Sequence, residues 1–276
     1  MDAPSAVLGV VLLETAVGGL ALLWLAPTWG AVRRGYVILL GSTLGLVALG
    51  AWGAMRAPLA AGHGGGPAAA WASRGLLATA ILTLLAVGVA ARSDGTAARV
   101  LGLTGVVAGV GTFVPLAQLR AVAAGAGGGA VSGLAELALG AFFLGAVWDG
   151  LVLGHWYLVE RRLSNRYMVW MAWVNVAAVA AGFGAVALSA ANPPPCAGLA
   201  GRELAICRLP YSPILSIGSF TIVMGTGLVA LVALIAAFNV KLAREGGRSI
   251  QASTGMFYLA VILAPAAEFA AKVRFF

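Results

Sequence analysis

The chain has 276 residues, of which 61% are hydrophobic and 9% are charged, and its formal net charge at pH 7 is +8. Soluble domains carry about 25% charged residues, so this composition excludes a water-facing surface and a soluble domain. Lipid must cover most of the outside, and only helices or closed barrels satisfy their own backbone in hydrocarbon. Apolar runs longer than about 18 residues favour helices over alternating barrel strands, which predicts an all-α integral membrane protein.

Charges, prolines and glycine-rich breaks divide the sequence into about eight apolar segments. In chain order these cover residues 5–27, 36–56, 75–91, 99–121, 133–158, 167–191, 213–239 and 252–273. Most are close to the roughly 20 residues that cross about 30 Å of hydrocarbon. The first has neither a basic leader nor a small-residue cleavage site, so we expect it to be retained as a transmembrane helix.

The basic residues between the segments are distributed unevenly over the two sides of the membrane. Loops after segments one, three, five and seven hold ten, and the other side holds seven, among them Arg120 and Lys272. The positive-inside rule places the ten-charge side in the cytoplasm and both termini on the outer side of a cell membrane. We therefore expect the positive net charge to face anionic lipid and not nucleic acid.

Both cysteines, Cys196 and Cys207, lie in the loop at residues 192–212, between segments six and seven. The predicted orientation places this loop on the outer, oxidising side, where closely spaced cysteines indicate a disulfide. Such a bond closes a short loop and is worth about 2–3 kcal/mol. The alternative is that the cysteines are two unrelated small apolar residues.

Segments one to four resemble segments five to eight, which predicts two tandem four-helix repeats at residues 1–131 and 132–276. The matched pairs are Glu14 with Asp149 (offset 135), Tyr36 with Tyr167 (offset 131), and Pro115 with Pro265 and Gln118 with Glu268 (both offset 150). The offset increases where the cysteine loop forms an insertion. Because each repeat has four helices, both have the same topology and are related by an axis along the membrane normal.

Four polar residues within the apolar segments are candidate site residues, because a charge in the bilayer costs at least about 2.5–3.5 kcal/mol. Glu14 and Asp149 lie within segments one and five, and Gln118 and Glu268 each follow a proline in segments four and eight. One interpretation is a polar pocket between the halves that holds a proton or a polar headgroup. The other is that the carboxylates pair with neighbouring side chains and only hold helices together.

Three ionisable residues near the segment ends are interpreted differently. Glu136 and Glu160 are predicted to be interfacial. His155 remains a candidate for a quinone or proton site, although a hydrogen-bonding residue of the interfacial aromatic belt is the simpler interpretation. It lies about 240° around the helix from Asp149, so the two do not share a face.

Several motifs of cofactor chemistry are missing from the sequence. No C-x-x-C, H-E-x-x-H, P-loop or dinucleotide fingerprint occurs, and these motifs mark metal, iron–sulfur and nucleotide sites. A b-type haem usually needs two histidines at membrane depth, but only His63, in a glycine-rich loop, accompanies His155. We expect no metal and no cofactor within the chain, apart from a quinone, and a non-catalytic subunit is favoured over an enzyme. The glycine pair Gly150 and Gly154 predicts close helix packing.

Three features carry a resemblance to a known family. They are the TAVGG stretch at residues 15–19, the duplicated eight-helix plan, and the closing pattern of Glu268, Lys272, Phe275 and Phe276. In these the chain resembles the polytopic, quinol-interacting membrane-anchor subunits of the DMSO-reductase and polysulfide-reductase type. The resemblance implies two consecutive four-helix bundles that hold a quinol near the outer face for an electron-transfer partner. Residue by residue it extends to Glu14 and Glu268 only.

Three functions remain open at this point. The first is a haem-free membrane subunit of a respiratory or other electron-transfer complex, in which Glu14, Asp149 and Glu268 shape a quinone or proton site. The second is a small proton-coupled secondary transporter, with Pro115 and Pro265 supplying a mobile gate. The third is a purely structural accessory subunit. Short loops favour the first and third, so the expected partners are the lipid bilayer and other membrane or peripheral subunits.

Overall fold

A computed structural model describes residues 4–25, 32–61, 66–92, 96–123, 129–160, 162–191, 196, 198–209, 219–273 and 275. Within these ranges the chain forms nine helices and no strand. The helices are α1 (Pro4–Leu25), α2 (Arg34–Ala60), α3 (Pro67–Arg92), α4 (Thr96–Ala123), α5 (Ala130–Val159), α6 (Arg166–Ala190), α7 (Gly201–Arg208), α8 (Phe220–Glu245) and α9 (Ser249–Lys272). All except α7 are long and apolar enough to cross a membrane, which confirms the predicted all-α, multi-pass membrane protein.

The end of α8 differs from the predicted segment. The prediction ended this helix at residue 239, before the first charged residue, and its predicted start at residue 213 lies outside the described residues. The described helix begins at Phe220 and continues to Glu245, because a membrane helix extends through the headgroup layer, where charges are solvated. It ends at Gly246, whose φ of 69° is a conformation that glycine adopts without a Cβ penalty.

The long helices form two rings of four, and the rings have the same packing order. In the first half α1 packs on α2, α2 on α3, α3 on α4, and α4 back on α1. In the second half α5 packs on α6, α6 on α8, α8 on α9, and α9 back on α5. Contacts of α1 with α5, α4 with α5, and α1 with α9 join the rings. Duplication of the sequence itself stays a prediction.

Helices α1 and α5 approach so closely at the centre that their backbones touch. A Cβ on Gly18 would overlap the carbonyl of Ala141, and a Cβ on Gly145 would overlap the backbone of Gly18. Small residues permit this approach between membrane helices. If a two-fold axis relates the halves, Gly18 of α1 is equivalent to the part of α5 that it touches, between Ala141 and Gly145. The sequence offset between equivalent residues of the two halves is then 123 to 127 (141 − 18 and 145 − 18). This register differs from the aligned offset of 135 between Glu14 and Asp149.

The short helix α7 lies in the cysteine loop between α6 and α8. The sulfur atoms of Cys196 and Cys207 are within disulfide-bonding distance, which confirms the predicted pair. No residue of α7 is buried, whereas Cys196, which pairs with Cys207 of this helix, is buried. The predicted position of the loop on the outer side stays a prediction.

Candidate functional site

Five charged side chains meet where α1, α4, α5 and α9 come together. They are Glu14 from α1, Arg120 from α4, Glu136 from α5, and Glu268 and Lys272 from α9, and we refer to them as the ionic cluster. None of the five side chains is more than 1% exposed. Because α1 and α4 belong to the first half and α5 and α9 to the second, the cluster joins the two halves.

Lys272 lies at the centre of the ionic cluster. Its Nζ atom is 2.9 Å from Oε2 of Glu268, 3.1 Å from Oε1 of Glu14 and 3.3 Å from Oε1 of Glu136. Glu268 precedes the lysine by four residues, so these two side chains share a helix face. An ammonium group has three hydrogens to donate, and here three carboxylates surround it. One lysine therefore connects α1, α5 and α9.

Arg120 closes the ionic cluster from the side of α4. Its Nη2 atom lies 2.9 Å from Oε2 of Glu136, and its Nη1 donates to the Ser132 hydroxyl at 3.4 Å. The guanidinium carbon lies 5.0 Å from the centre of the Phe275 ring, which is a favourable cation–π distance. Glu136 is therefore paired through both of its oxygens, one to each cation.

Two glycines of α5 make room for the ionic cluster. Gly133, Glu136 and Gly140 are spaced so that they lie on one helix face. A Cβ on Gly140 would stand 2.6 Å from Oε1 of Glu14, and a Cβ on Gly133 would stand 2.8 Å from Nη1 of Arg120. The absence of both side chains lets neighbouring helices bring their charged groups to Glu136.

The ionic cluster contains one carboxylate more than it has cations. Three carboxylates and two cations give a formal charge of −1 when all are ionised (2 − 3). An unbalanced buried charge is much costlier than a balanced one, so one proton on a carboxyl group stabilises the cluster. Among the described residues, Oε2 of Glu14 and Oε1 of Glu268 have neither a hydrogen-bond nor an ion-pair partner. These two oxygens are the available positions for that proton.

Asp149 is a second buried acid and does not belong to the ionic cluster. It lies nine residues after Gly140 on α5, about 14 Å along the helix, and it is fully buried. Neither of its carboxyl oxygens has a hydrogen-bond partner among the described residues. A Cβ on Gly19 would stand 3.0 Å from its Oδ1. Glu14 and Asp149 therefore occupy two different depths of the contact between α1 and α5.

The other two predicted site residues lie on the outer surface of the bundle. Gln118 is exposed and lines a pocket between α3 and α4, whereas Arg120, two residues later, faces inward. His155 is also exposed, and its Nε2 lies 3.0 Å from the Tyr258 hydroxyl. Neither residue contributes to the ionic cluster, and His155 does not share a face with the buried Asp149, as expected.

Three members of the ionic cluster were missed by the sequence reasoning. Glu136 was predicted to be interfacial, but α5 begins six residues earlier, at Ala130, and the carboxylate is fully buried between helices. Arg120 and Lys272 were counted as loop charges, but both are buried. Their removal from the count leaves five basic residues against ten (7 − 2), which strengthens the bias behind the predicted orientation. Two features of the sequence could have indicated the ionic cluster. They are the four-residue spacing of Glu268 and Lys272, and the glycines on either side of Glu136.

Near the end of α5 the predicted close packing at the glycine pair is confirmed, and the interfacial position of Glu160 stays a prediction. Glu160 is partly exposed at the end of the helix, and its Oε1 lies 3.0 Å from Nε of Arg33. A Cβ on Gly150 would overlap the Phe257 ring, and a Cβ on Gly154 would collide with Thr254. This glycine pair therefore packs against α9. His63 and Phe276, named above, lie outside the described residues.

The three carboxylates of the predicted quinone site do not form a site that a quinone headgroup can reach from lipid. Glu14, Asp149 and Glu268 are fully buried. A groove of about 680 Å³ opens between α1, α4 and α5, but valine, glycine, alanine, leucine, phenylalanine and one tryptophan line it. Such a lining suits a hydrocarbon chain and not the polar oxygens of a quinone. Quinone binding stays a prediction, and these residues do not fit the headgroup.

No family model, no curated protein and no solved structure matches this chain. The residues of the ionic cluster are therefore the basis on which a function is proposed.

Proposed function

We propose that this chain is a membrane subunit of an electron-transfer complex, without a haem of its own, and that it contributes a proton site formed by the ionic cluster. The supporting observation is that three carboxylates face two cations at complete burial. The cluster is neutral with one proton and carries a charge of −1 without it. When an electron arrives at or leaves a nearby redox centre of a partner subunit, the free-energy difference between the protonated and the unprotonated cluster changes, because charges interact strongly in a low dielectric.

The proposed proton site is the pair Glu14 and Glu268. Both oxygens of Glu136 are paired with cations, so neither of them is an open position for the proton. Glu14 and Glu268 each have one oxygen on Lys272 and one without a partner. Gly140 faces both carboxyl groups and leaves the space in which they lie side by side.

The two parts of this proposal have different support. The proton site is supported by the charge and burial of the ionic cluster. The membership of an electron-transfer complex is supported by the sequence resemblance described above. No step through a quinone is proposed, because the buried carboxylates do not offer a headgroup site.

A proton-coupled secondary transporter is the second candidate function, and the position of two prolines favours it. Pro115 lies within α4, five residues before Arg120, and Pro265 lies within α9, seven residues before Lys272. Proline removes a helix hydrogen bond and permits a bend. Both cations of the ionic cluster are therefore carried on helix ends that are able to pivot, as a gate requires.

Infrared difference spectroscopy of the purified protein tests the proton site. We expect the wild-type protein to show the infrared band of a protonated carboxyl group, with an intensity that changes with pH. This band should be lost or strongly reduced in both Glu14→Gln and Glu268→Gln. Asp149→Asn is the control, because it removes the buried acid that lies outside the ionic cluster and should leave this band in place. A band that persists in both Glu14→Gln and Glu268→Gln would leave the ionic cluster with a structural role only.

Purification and reconstitution separate the two functions. For a subunit of an electron-transfer complex, a redox-active partner co-purifies in mild detergent, and Glu14→Gln assembles at wild-type levels but slows proton-coupled turnover of that complex. For a transporter, the isolated chain in liposomes accumulates a solute when a proton gradient is applied. Accumulation by the chain alone, with no co-purifying partner, would contradict the electron-transfer proposal.

A further inference from the structure

We propose that the pocket between α3 and α4 binds an anionic phospholipid, with the phosphate at Arg74. The pocket has a volume of about 420 Å³. One end is polar and is formed by Trp71, Arg74 and Gln118, whereas small residues such as Ala78 and Gly111 line the rest. This division into a polar end and an apolar slot matches the headgroup and the acyl chain of a lipid.

The pocket opens on the lipid-facing surface of the bundle. A Cβ on Gly111 would meet no atom within 4 Å, so open space adjoins this glycine. Val114, three residues later, is 47% exposed. Gln118 is exposed on the same surface, while Arg120 points inward to the ionic cluster. The pocket and the ionic cluster therefore lie on opposite faces of α4.

The polar end of the pocket lies near the boundary of the hydrocarbon. Arg74 comes seven residues after the start of α3 at Pro67, about 10 Å along the helix, and α3 exceeds the hydrocarbon thickness by roughly 4–5 Å at each end. Its backbone is therefore about 6 Å below the boundary, a depth from which an arginine side chain reaches the headgroups. Gln118 lies five residues before the end of the 28-residue α4, which places its backbone about 1–2 Å below the boundary, between Arg74 and the headgroups.

Arg74 has an aromatic partner and no acidic one. Its guanidinium carbon lies 5.5 Å from the centre of the Trp71 ring, and no acidic side chain among the described residues forms an ion pair with it. By contrast, Arg33 and Arg120 are each paired with a glutamate. The planar guanidinium suits the oxygens of a phosphate, so an anionic lipid would neutralise this charge where a neutral ligand would not.

Native mass spectrometry of the intact protein tests the proposal. The probes are phosphatidylglycerol and phosphatidylcholine of the same acyl chains, added to delipidated protein. We expect one phosphatidylglycerol to bind at least about tenfold more tightly than phosphatidylcholine, and this preference to be lost in Arg74→Gln. Gly111→Phe fills the slot and should abolish binding. The matched controls, Arg92→Gln at the opposite end of α3 and Gly227→Phe on the exposed face of α8, should retain it.

Several outcomes would overturn this inference. Equal binding of the two lipids by the wild type would do so, as would an unchanged preference in Arg74→Gln. Displacement of phosphatidylglycerol by inorganic phosphate alone would assign the pocket to a free anion, and displacement by a short-chain quinone would assign it to a neutral ligand. If Gly111→Phe fails to fold, Arg74→Gln still decides the question, because its exposed side chain contributes little to the packing.

Discussion

Replacement of Lys272 by methionine removes the central positive charge of the ionic cluster and keeps a side chain of similar length. The lysine Nζ lies within 3.3 Å of three carboxylates on three helices. Its loss changes the formal charge of the cluster from −1 (2 − 3) to −2 (1 − 3), with Arg120 as the remaining cation. We expect the protein to unfold much more easily.

The size of the effect follows from the cost of an unpaired buried charge. Removal of one partner from a buried ion pair costs about 3–5 kcal/mol, and this lysine has three partners. We therefore expect Lys272→Met to lower the free energy of unfolding by at least about 3 kcal/mol. Added Glu14→Gln returns the formal charge to −1 (1 − 2) and should restore part of the loss. Further addition of Glu268→Gln brings the charge to zero (1 − 1) and should restore more.

Detergent unfolding measures these differences. The purified variants are titrated with sodium dodecyl sulfate from mixed micelles, and tryptophan fluorescence reports the folded fraction. Arg92→Met is the control, because its arginine is exposed and, among the described residues, bonds only a carbonyl of its own helix, so a change within about 0.5 kcal/mol is expected. The reasoning is refuted if Lys272→Met is as stable as this control, or if Glu14→Gln deepens the loss.

Three further predictions concern other parts of the chain. Gly145→Leu forces α1 and α5 apart and should lower the free energy of unfolding by about 1–3 kcal/mol in the same titration. The control Gly53→Leu, at a glycine with open space around it, should have little effect. Maleimide should modify Cys196 and Cys207 only after reduction, as read by intact mass, and labelling without reductant would contradict the disulfide. Tyr157→Phe removes two hydrogen bonds to backbone groups at the turn between α5 and α6 and should lower stability by about 1–2 kcal/mol; an unchanged unfolding midpoint would contradict this.

Local properties of the sequence determined the membrane class, the helices and the disulfide. Each apolar run specifies its own helix, because a backbone in hydrocarbon forms hydrogen bonds only within the segment. Cys196 and Cys207 are close along the chain, so their pairing needed no knowledge of the helix packing. The inward position of Glu14, Asp149 and Glu268 followed from the cost of a carboxylate in lipid. Gly150 and Gly154 were recognised as packing positions from their spacing along α5.

Only the tertiary structure decided which charges meet. Glu136, Arg120 and Lys272 lie near helix ends, where a charge is ordinarily solvated, and sequence position alone therefore placed them at the membrane surface. Most of their partners are on other helices, far away in the chain. The local sequence does not show that Gly133 and Gly140 leave the space in which these side chains meet. The alignment put Glu14 and Asp149 in equivalent places, yet the crossing of α1 and α5 separates them in depth. Packing between helices depends on surfaces formed by several segments at once, and for that reason the ionic cluster became visible only when four helices were assembled.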